Sequence, residues 1–433
     1  MNSPYALMVG LDWADQKHAL CCRDTATGKT NAQMLEHSPE RINEWVLDQL
    51  ASHPGGRIAV CLEQKIGSVV YALMGYAEVD LFPVNPATLS KYRETFHPSG
   101  AKDDPSDAAL LLDLLEKHPE AMEIWRPDTE ETRLLQRLCQ DRRKAVDMRT
   151  KCSNSLRSKL KEYYPQALQL VGENLETEMC CAFLGKWPRF QDVAAARPES
   201  LRKFYYKFNS RSETTIKARL DLIAASRPLT SDGAVIESAI CWVQAMIRQI
   251  RDLNKTVEEY DRRIGELFKN HPDSGIFNSF PGAGRQLAPR LMTLFGTDRG
   301  RFKTALDVAT FNGVAPVMER SGNQMWVHWR WHCPKFARQS LVEFAGHSLG
   351  GSAWAKAYYN AQIKRGKDHQ AAVRALAFKW VRILFRCWQT RTPYDERAYL
   401  AALQRHGSWL CEAIEKESEE ANGKDPESNP KTA

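Results

Sequence analysis

No run of eighteen or more apolar residues occurs in the 433-residue chain, so a membrane-spanning helix is not expected. Met1 to Val9 carries no basic cluster, and no secretory signal is expected there. Eleven cysteines are present but never as Cys-x-x-Cys, and they adjoin only at Cys21-Cys22 and Cys180-Cys181. That scatter reads as the reduced thiols of a cytosolic protein and not as a disulfide framework. His328, His332 and Cys333 come nearest to a zinc cluster, yet lack a second ligand pair at finger spacing. Paired Gly-rich phosphate loops are also missing. Their absence sets aside an actin-like sugar kinase, which would share only an early strand ending in Asp.

What is present is a segregated charge. The net of +7 divides into −7 on residues 1–127, with 11 Lys/Arg against 18 Asp/Glu, and +14 on the remainder. From Glu412 onward 7 acids face 3 lysines, which leaves +18 on residues 128–411. An acidic lobe followed by a long basic one suggests metal chemistry first and phosphate contacts later. The length favours two or three domains.

Residues 1–127 alternate strand and helix patterns, predicting an α/β domain. Ala6 to Leu11 forms an apolar strand closing at Asp12, and His18 to Cys22 a second before a turn over Asp24 to Lys29. Pro39 to Leu50 is an amphipathic helix, and Arg57 to Leu62 a buried strand closing at Glu63. Val79 to Val84 is a strand that Pro83 marks as an end or an edge. Asp104 to Leu115 is a helix with Pro105 in its first turn.

The rest is helical. Thr129 to Tyr163 repeats apolar residues at Leu134, Leu138, Ala145, Met148, Cys152, Leu156, Leu160 and Tyr163. A heptad seam then runs from Ile236 to Leu267 and is stopped by Asn270-His271-Pro272. Two such helices predict an antiparallel coiled coil, or one shared between subunits. Between them Arg197 to Arg227 mixes basic residues with Phe204, Tyr205, Tyr206 and Phe208. Stacking on RNA is one reading; buried aromatics of a small helical subdomain is the favoured one. The charged stretch from about Lys416 to the end predicts disorder.

Four acids are the most informative set. Asp12 and Glu63 each close an apolar strand, while Asp104 and Asp107 share one face of a helix's first turn. Four hard oxygen donors suit Mg²⁺ or Mn²⁺ and phosphoryl transfer. Singly, each acid is better explained as a helix cap, a dipole partner or a solvated carboxylate. As a set they favour a metal site. In the second half, Phe280-Pro281-Gly282-Ala283-Gly284 with Arg285 suggests a helix-hairpin-helix turn offering backbone N–H groups to phosphate. Trp326, His328, Trp329, Arg330, Trp331, Lys335 and Arg338 interleave rings and cations in a way that favours nucleic-acid contact over a tryptophan core.

Gly10-Leu11-Asp12, Leu62-Glu63, Val84-Asn85-Pro86 and Lys102-Asp103-Asp104-Pro105-Ser106-Asp107-Ala108 resemble the DEDD metal domain of the insertion-sequence one-ten transposases, relatives of the Piv invertases. Phe280 to Gly284, Phe311-Asn312-Gly313-Val314-Ala315-Pro316, Arg320-Ser321-Gly322 and Arg338-Gln339 extend the resemblance, in order, to about Leu403. It implies a RuvC-like RNase H fold, a coiled-coil connection and a mostly α-helical transposase domain. It also implies a recombinase guided by a structured bridge RNA, acting on donor and target duplex DNA as a tetramer, a dimer of dimers. Carried over, Asp12, Glu63, Asp104 and Asp107 bind metal, with Asp103 as the alternative to Asp104, and Ser321 attacks DNA to form a phosphoserine link. Ser321 has no neighbouring His/Asp partner, so triad chemistry is not indicated. Gly282, Gly284, Arg285, Arg320, Trp326, Arg330, Lys335 and Arg338 are the expected nucleic-acid contacts.

The expected boundaries are a catalytic domain at 1–127, coiled-coil helices with an inserted basic segment at 128–272, a serine-bearing helical domain at 273–411 and a disordered acidic tail at 412–433. A cytoplasmic, nucleoid-associated bacterial protein follows, with no membrane partner. Two rivals stand beside the recombinase: a junction-resolving nuclease using metal-activated water, and a non-catalytic RNA- or DNA-binding protein.

Overall fold

A computed structural model describes residues 4–63, 67–96 and 104–422. The chain divides into two compact units, Met1–Pro127 and Asp128–Ala433.

The first unit is built on a five-stranded sheet. Its strands are β1 (Leu7–Asp12), β2 (Lys17–Asp24), β3 (Thr30–Glu36), β4 (Ile58–Leu62) and β5 (Val79–Pro83), in the order β3-β2-β1-β4-β5. The first three run antiparallel, while β4 and β5 join β1 in parallel. Parallel pairing needs crossovers, and these hold α1 (Pro39–Ser52) and α2 (Ser68–Leu73). Ser38 caps α1 by accepting from Arg41 N, with Pro39 in the first turn. Next come α3 (Pro86–Phe96) and α4 (Asp104–Lys117). Pro83 does end β5, and β5 is an edge strand. Sequence reading gave no strand at β3, whose side chains are mostly exposed and so show little apolar alternation.

Alternation sorts the sheet into two faces. Leu7, Val9, Leu11, Val60 and Leu62 pack with Ile42, Val46 and Val70 of α1 and α2. Met8, Ala59, Cys61 and Phe82 pack on the other face with Ala108, Leu111, Leu112 and Leu115 of α4. Gly10 is the point of closest approach: a Cβ there would lie 2.0 Å from the Ala108 carbonyl oxygen and 2.5 Å from Leu112 N. Only glycine lets α4 lie this close to β1.

The second unit begins with α5 (Glu130–Tyr163), followed by α6 (Ala167–Val171), α7 (Glu178–Lys186), α8 (Phe190–Ala194), α9 (Pro198–Lys207), α10 (Glu213–Ala225) and α11 (Gly233–Asn270). It continues through α12 (Ser274–Asn278), α13 (Gly284–Phe295), α14 (Ala305–Phe311), the hairpin β6 (Val317–Ser321) and β7 (Gln324–His328), and α15 (Lys335–Ser348). The last helices are α16 (Ala353–Lys364), α17 (His369–Thr390), α18 (Glu396–Arg405) and α19 (Trp409–Asn422).

Helices α5 and α11 lie antiparallel, as their polar pairs show: Thr132 with His271 (3.1 Å), Arg142 with Asp261 (2.6 Å), Arg149 with Asn254 (2.9 Å) and Ser155 with Trp242 (3.1 Å). The heptad seam is therefore filled from within the chain. Ile236, Val243 and Ile250 pack with Leu156, Leu160 and the aromatic residues of α7 to α9. Ile264 and Phe268 instead join Leu135, Leu138 and the core of α12 to α17.

Three details differ from expectation. Leu135, and not Leu134, faces the core, while Leu134 and Met148 are exposed. The 272/273 boundary cuts through one core, because Leu135, Ile264 and Phe268 pack with residues beyond it. The tail is not disordered from residue 412: α19 reaches Asn422, Leu410 is fully buried and Ile414 packs on the core. The acids hid these anchors in a charge count. Residues 423–433 lie outside the described residues.

Phe204 and Tyr205 are buried among Phe183 and Trp187. The aromatics between the long helices are thus a small core. Tyr206 is exposed and donates to Glu213. Among the described residues, no helix is long and apolar enough to cross a membrane.

Candidate active site

In the first unit the site follows from sheet register. Leu11 on β1 lies opposite Leu62 on β4, so Asp12 and Glu63 are the next residues on strands running the same way. On the other side of β4 the Leu62 carbonyl accepts from Val84 N, just past β5, at 2.8 Å. Even-numbered residues of β1 and odd-numbered residues of β4 face α4, which places both acids on the α4 face. Neighbouring strands are about 4.8 Å apart, so the two residues stand at adjacent positions on the carboxyl edge of the sheet. Both residues are half-buried.

Helix α4 supplies the other two acids. Ala108 and Leu112 sit over Gly10, so the turn containing Asp104 and Asp107 lies toward the end of β1 where Asp12 stands. Asp107 is 2% exposed, and Arg93 of α3 donates to its Oδ1 from both Nε and Nη2 at 2.7 Å. Arg93 was missed by sequence reading; its only signal was a cation close in sequence to the acidic pair. The side chain of Asp104 and all of Asp103 lie outside the described residues. Among the described residues, no three His, Cys, Asp or Glu side chains surround one point. The donors are all hard carboxylate oxygens, which fit a divalent cation of the Mg²⁺ type and not a soft metal.

Beside the site, His18 is fully buried on the opposite face of β2. Its Nδ1 accepts from Ala14 N (3.3 Å) and its Nε2 meets His37 Nδ1 at 2.9 Å. Burial, with His37 adding to it, lowers its pKa to about 4 and keeps the ring neutral.

In the second unit Ser321 is the last residue of β6 and pairs with Gln324 across the two-residue turn Gly322-Asn323. Gly322 takes φ +56° there, the left-handed region that tight hairpin turns require. The hairpin residues from Met318 to His328, including Arg320, Ser321 and Trp326, are exposed. His328 pairs with Glu319 at 3.1 Å.

The ring-and-cation cluster behind the hairpin is partly internal. Trp329 lies between the guanidiniums of Arg338 (4.4 Å) and Arg374 (4.5 Å), and Arg338 donates to the Arg330 carbonyl at 2.8 Å. Arg374 had no sequence signal, being one cation in a long helix. Trp331 is 75% exposed, and Lys335 is exposed at the start of α15.

The glycine turn joins α12 to α13 as expected, with Gly282 and Gly284 at positive φ. Packing explains Gly282: a Cβ would fall 2.6 Å from the His347 carbonyl group of α15. Gly284 meets nothing within 4 Å, and Arg285 beside it is exposed.

Comparison with known proteins agrees with this layout. Residues 9–165, spanning the acidic edge, match the DEDD transposase family of IS110 elements, described as a transposase. Residues 274–360, spanning the glycine turn and the hairpin, match the transposase family of IS116, IS110 and IS902. The chain is 29% identical over 409 residues to the mini-circle transposase for IS117 of Streptomyces coelicolor, covering 91% of this chain and 97% of that protein. It is 23% identical to the 43.6 kDa protein of insertion element IS110 of the same organism (90% and 96% covered). It is 21% identical to the 42 kDa protein of insertion element IS900 of Mycobacterium paratuberculosis (80% and 87% covered). With both family regions matched in order, and relatives aligned over nearly their whole length, the chain belongs to the IS110 family of insertion-sequence transposases.

Proposed function

We propose that the protein breaks and rejoins DNA strands with Ser321 as nucleophile and a divalent cation at the Asp12–Glu63 edge of a RuvC-like RNase H fold. The strand order β3-β2-β1-β4-β5, antiparallel then parallel, supports that fold reading. The observation that supports the proposal is the register, in which Leu11 and Leu62, the residues before Asp12 and Glu63, lie opposite each other on neighbouring strands. Asp12, Glu63, Asp104 and Asp107 would hold Mg²⁺ or Mn²⁺, which when bound eases loss of the attacking proton and steadies the leaving oxygen. Arg93 fixes the Asp107 carboxylate and acts as a positioning residue.

Ser321 Oγ attacks the scissile phosphorus, forming a serine–phosphate ester and breaking one P–O bond to deoxyribose; the departing oxygen takes up a proton. Attack by a strand-end hydroxyl on that ester reverses the step, so the strand reseals without ATP. The exposed hairpin lets the hydroxyl reach a backbone phosphate, and Arg320 beside it attracts one. A structured bridge RNA as guide, donor and target duplexes as substrates, and a tetrameric assembly in the bacterial nucleoid complete the reading. The +18 on residues 128–411 and the family resemblance support them.

Ser321→Ala tests the nucleophile. The residue is an exposed hairpin end, so stability should stay within about 0.5 kcal/mol of the parent. Denaturing gels should show strand cleavage and the protein–DNA adduct vanishing together while DNA binding persists. Nicking at the parental rate with no adduct would assign the attack to water.

A further inference from the structure

Within the second unit, α5, α11, α13 and α15 enclose a cavity of about 160 Å³ that the reaction above does not use. Its lining holds four arginines, Arg142, Arg143, Arg149 and Arg290, against two carboxylates, Asp261 and Glu343. Arg142 is matched by a bidentate pair with Asp261 (2.6 and 2.9 Å). Arg149 is matched by Glu176 at 2.7 Å.

Arg143 and Arg290 share one carboxylate, Glu343, at 3.1 and 2.6 Å. The other partner of Arg143, Asp147, is an exposed residue outside the lining. Arg290 is 7% exposed, donates to Ser340 Oγ through Nε (3.0 Å), and lies over the Phe336 ring. Its Nη2 is buried without a hydrogen-bond partner among the described residues, as are Arg143 Nε and, beside Glu176, Arg149 Nε. A buried guanidinium N–H without an acceptor is costly, more so than a neutral donor.

We propose that this cavity is a phosphate socket, with Arg290 and Arg143 as its recognition groups. Arginine's planar fork suits the tetrahedral oxygens of a phosphate, and inside the lining Arg143 and Arg290 have one carboxylate, Glu343, between them, which favours an anion over water. A water occupies about 30 Å³, so the space takes one phosphate group with solvent to spare. Two sources share that chemistry: a backbone phosphate of bound nucleic acid and free inorganic phosphate.

The test compares the full-length protein with Arg290→Met, which removes the donors, and Val146→Phe, which fills the cavity and keeps every charge. Melting is followed in sodium phosphate against sodium chloride of equal ionic strength. Phosphate at about ten times Kd should raise the parental Tm by about 1–2 °C and leave both variants unmoved. Duplex DNA of arbitrary sequence is titrated in parallel over a range of salt. A salt slope lower by about one in both variants assigns the socket to a backbone phosphate. Unchanged DNA binding with the phosphate shift lost assigns it to the free ion. No phosphate shift in the parent, or an equal shift in parent and Val146→Phe, overturns the socket. Val146→Phe carries the test alone if Arg290→Met does not fold.

Discussion

Replacing Gly10 with alanine adds one methyl group where α4 crosses β1. That carbon would lie 2.0 Å from the Ala108 carbonyl oxygen and 2.5 Å from Leu112 N, and neither is the end of a flexible side chain. Ordinary contact begins near 3.4 Å, so the helix backbone must retreat by about 1 Å. Overpacking of this kind costs about 1–3 kcal/mol. The upper end applies here, because Leu111, Leu112 and Leu115 anchor α4 to the sheet and resist the movement. The displacement also carries Asp104 and Asp107 away from Asp12, and a misplacement of about 1 Å can cost about 10²-fold in rate. Met8→Ala is the control: it removes packing from the same face without pushing the helix and costs about 2–5 kcal/mol. Thermal melting should therefore show both variants destabilised, while Mg²⁺-supported strand cleavage fails by about 10²-fold only in Gly10→Ala. Parental melting and cleavage in Gly10→Ala, or an equal loss of cleavage in Met8→Ala, would refute the argument.

Two other outcomes follow from burial. The lowered pKa of His18 means that the folded state favours the neutral ring, whereas the unfolded chain takes up a proton below about 6.5. Its contribution to stability is complete above pH 6.5 and is lost as pH falls to about 4, a change of about 2–3 kcal/mol. Urea titrations across that window should show a shallower pH dependence in His18→Gln than in the parent, and equal slopes would contradict it. Ile250 is fully buried in the core that α11 forms with α5 and α7 to α9, so Ile250→Lys should destabilise the fold by more than about 3 kcal/mol. Circular dichroism melting together with native mass measurement checks this. A changed oligomer at unchanged Tm would mean that the seam serves another subunit.

The acidic edge was legible because strand ends are legible. Apolar runs stop at Asp12 and Glu63, and period-two alternation then decides which face each acid takes once the strands pair. Pairing itself was not legible: nothing in Leu7–Asp12 or Ile58–Leu62 says that they are neighbours, and β3, mostly exposed, buries only Leu35 and so carries little pattern. Arg93 escaped for a related reason. Its meaning depends on α3 lying beside α4, and one arginine in Pro86–Phe96 is unremarkable until its two N–H groups reach a carboxylate that is 2% exposed. The arginine cavity is hidden more deeply still, since its residues come from four helices and each alone reads as a solvated charge.

The long helices show where periodicity stops being informative. A heptad seam states that Ile236, Val243, Ile250, Val257 and Ile264 need covering, and says nothing about which helix covers them. Polar pairs decide it. Thr132 with His271, Arg142 with Asp261 and Arg149 with Asn254 keep one antiparallel register along the helices, and a second subunit's helix could enter the seam only by breaking them. The same pairs explain why the seam serves two cores. Its Ile236–Ile250 part is buried with α7 to α9 and its Ile264–Phe268 part with α12 to α17, while polar and half-buried residues such as Arg149 and Asn254 occupy the stretch between. A subunit contact on these helices would therefore use their outer faces, where Met148 is exposed, and not the apolar stripe that a sequence displays most clearly.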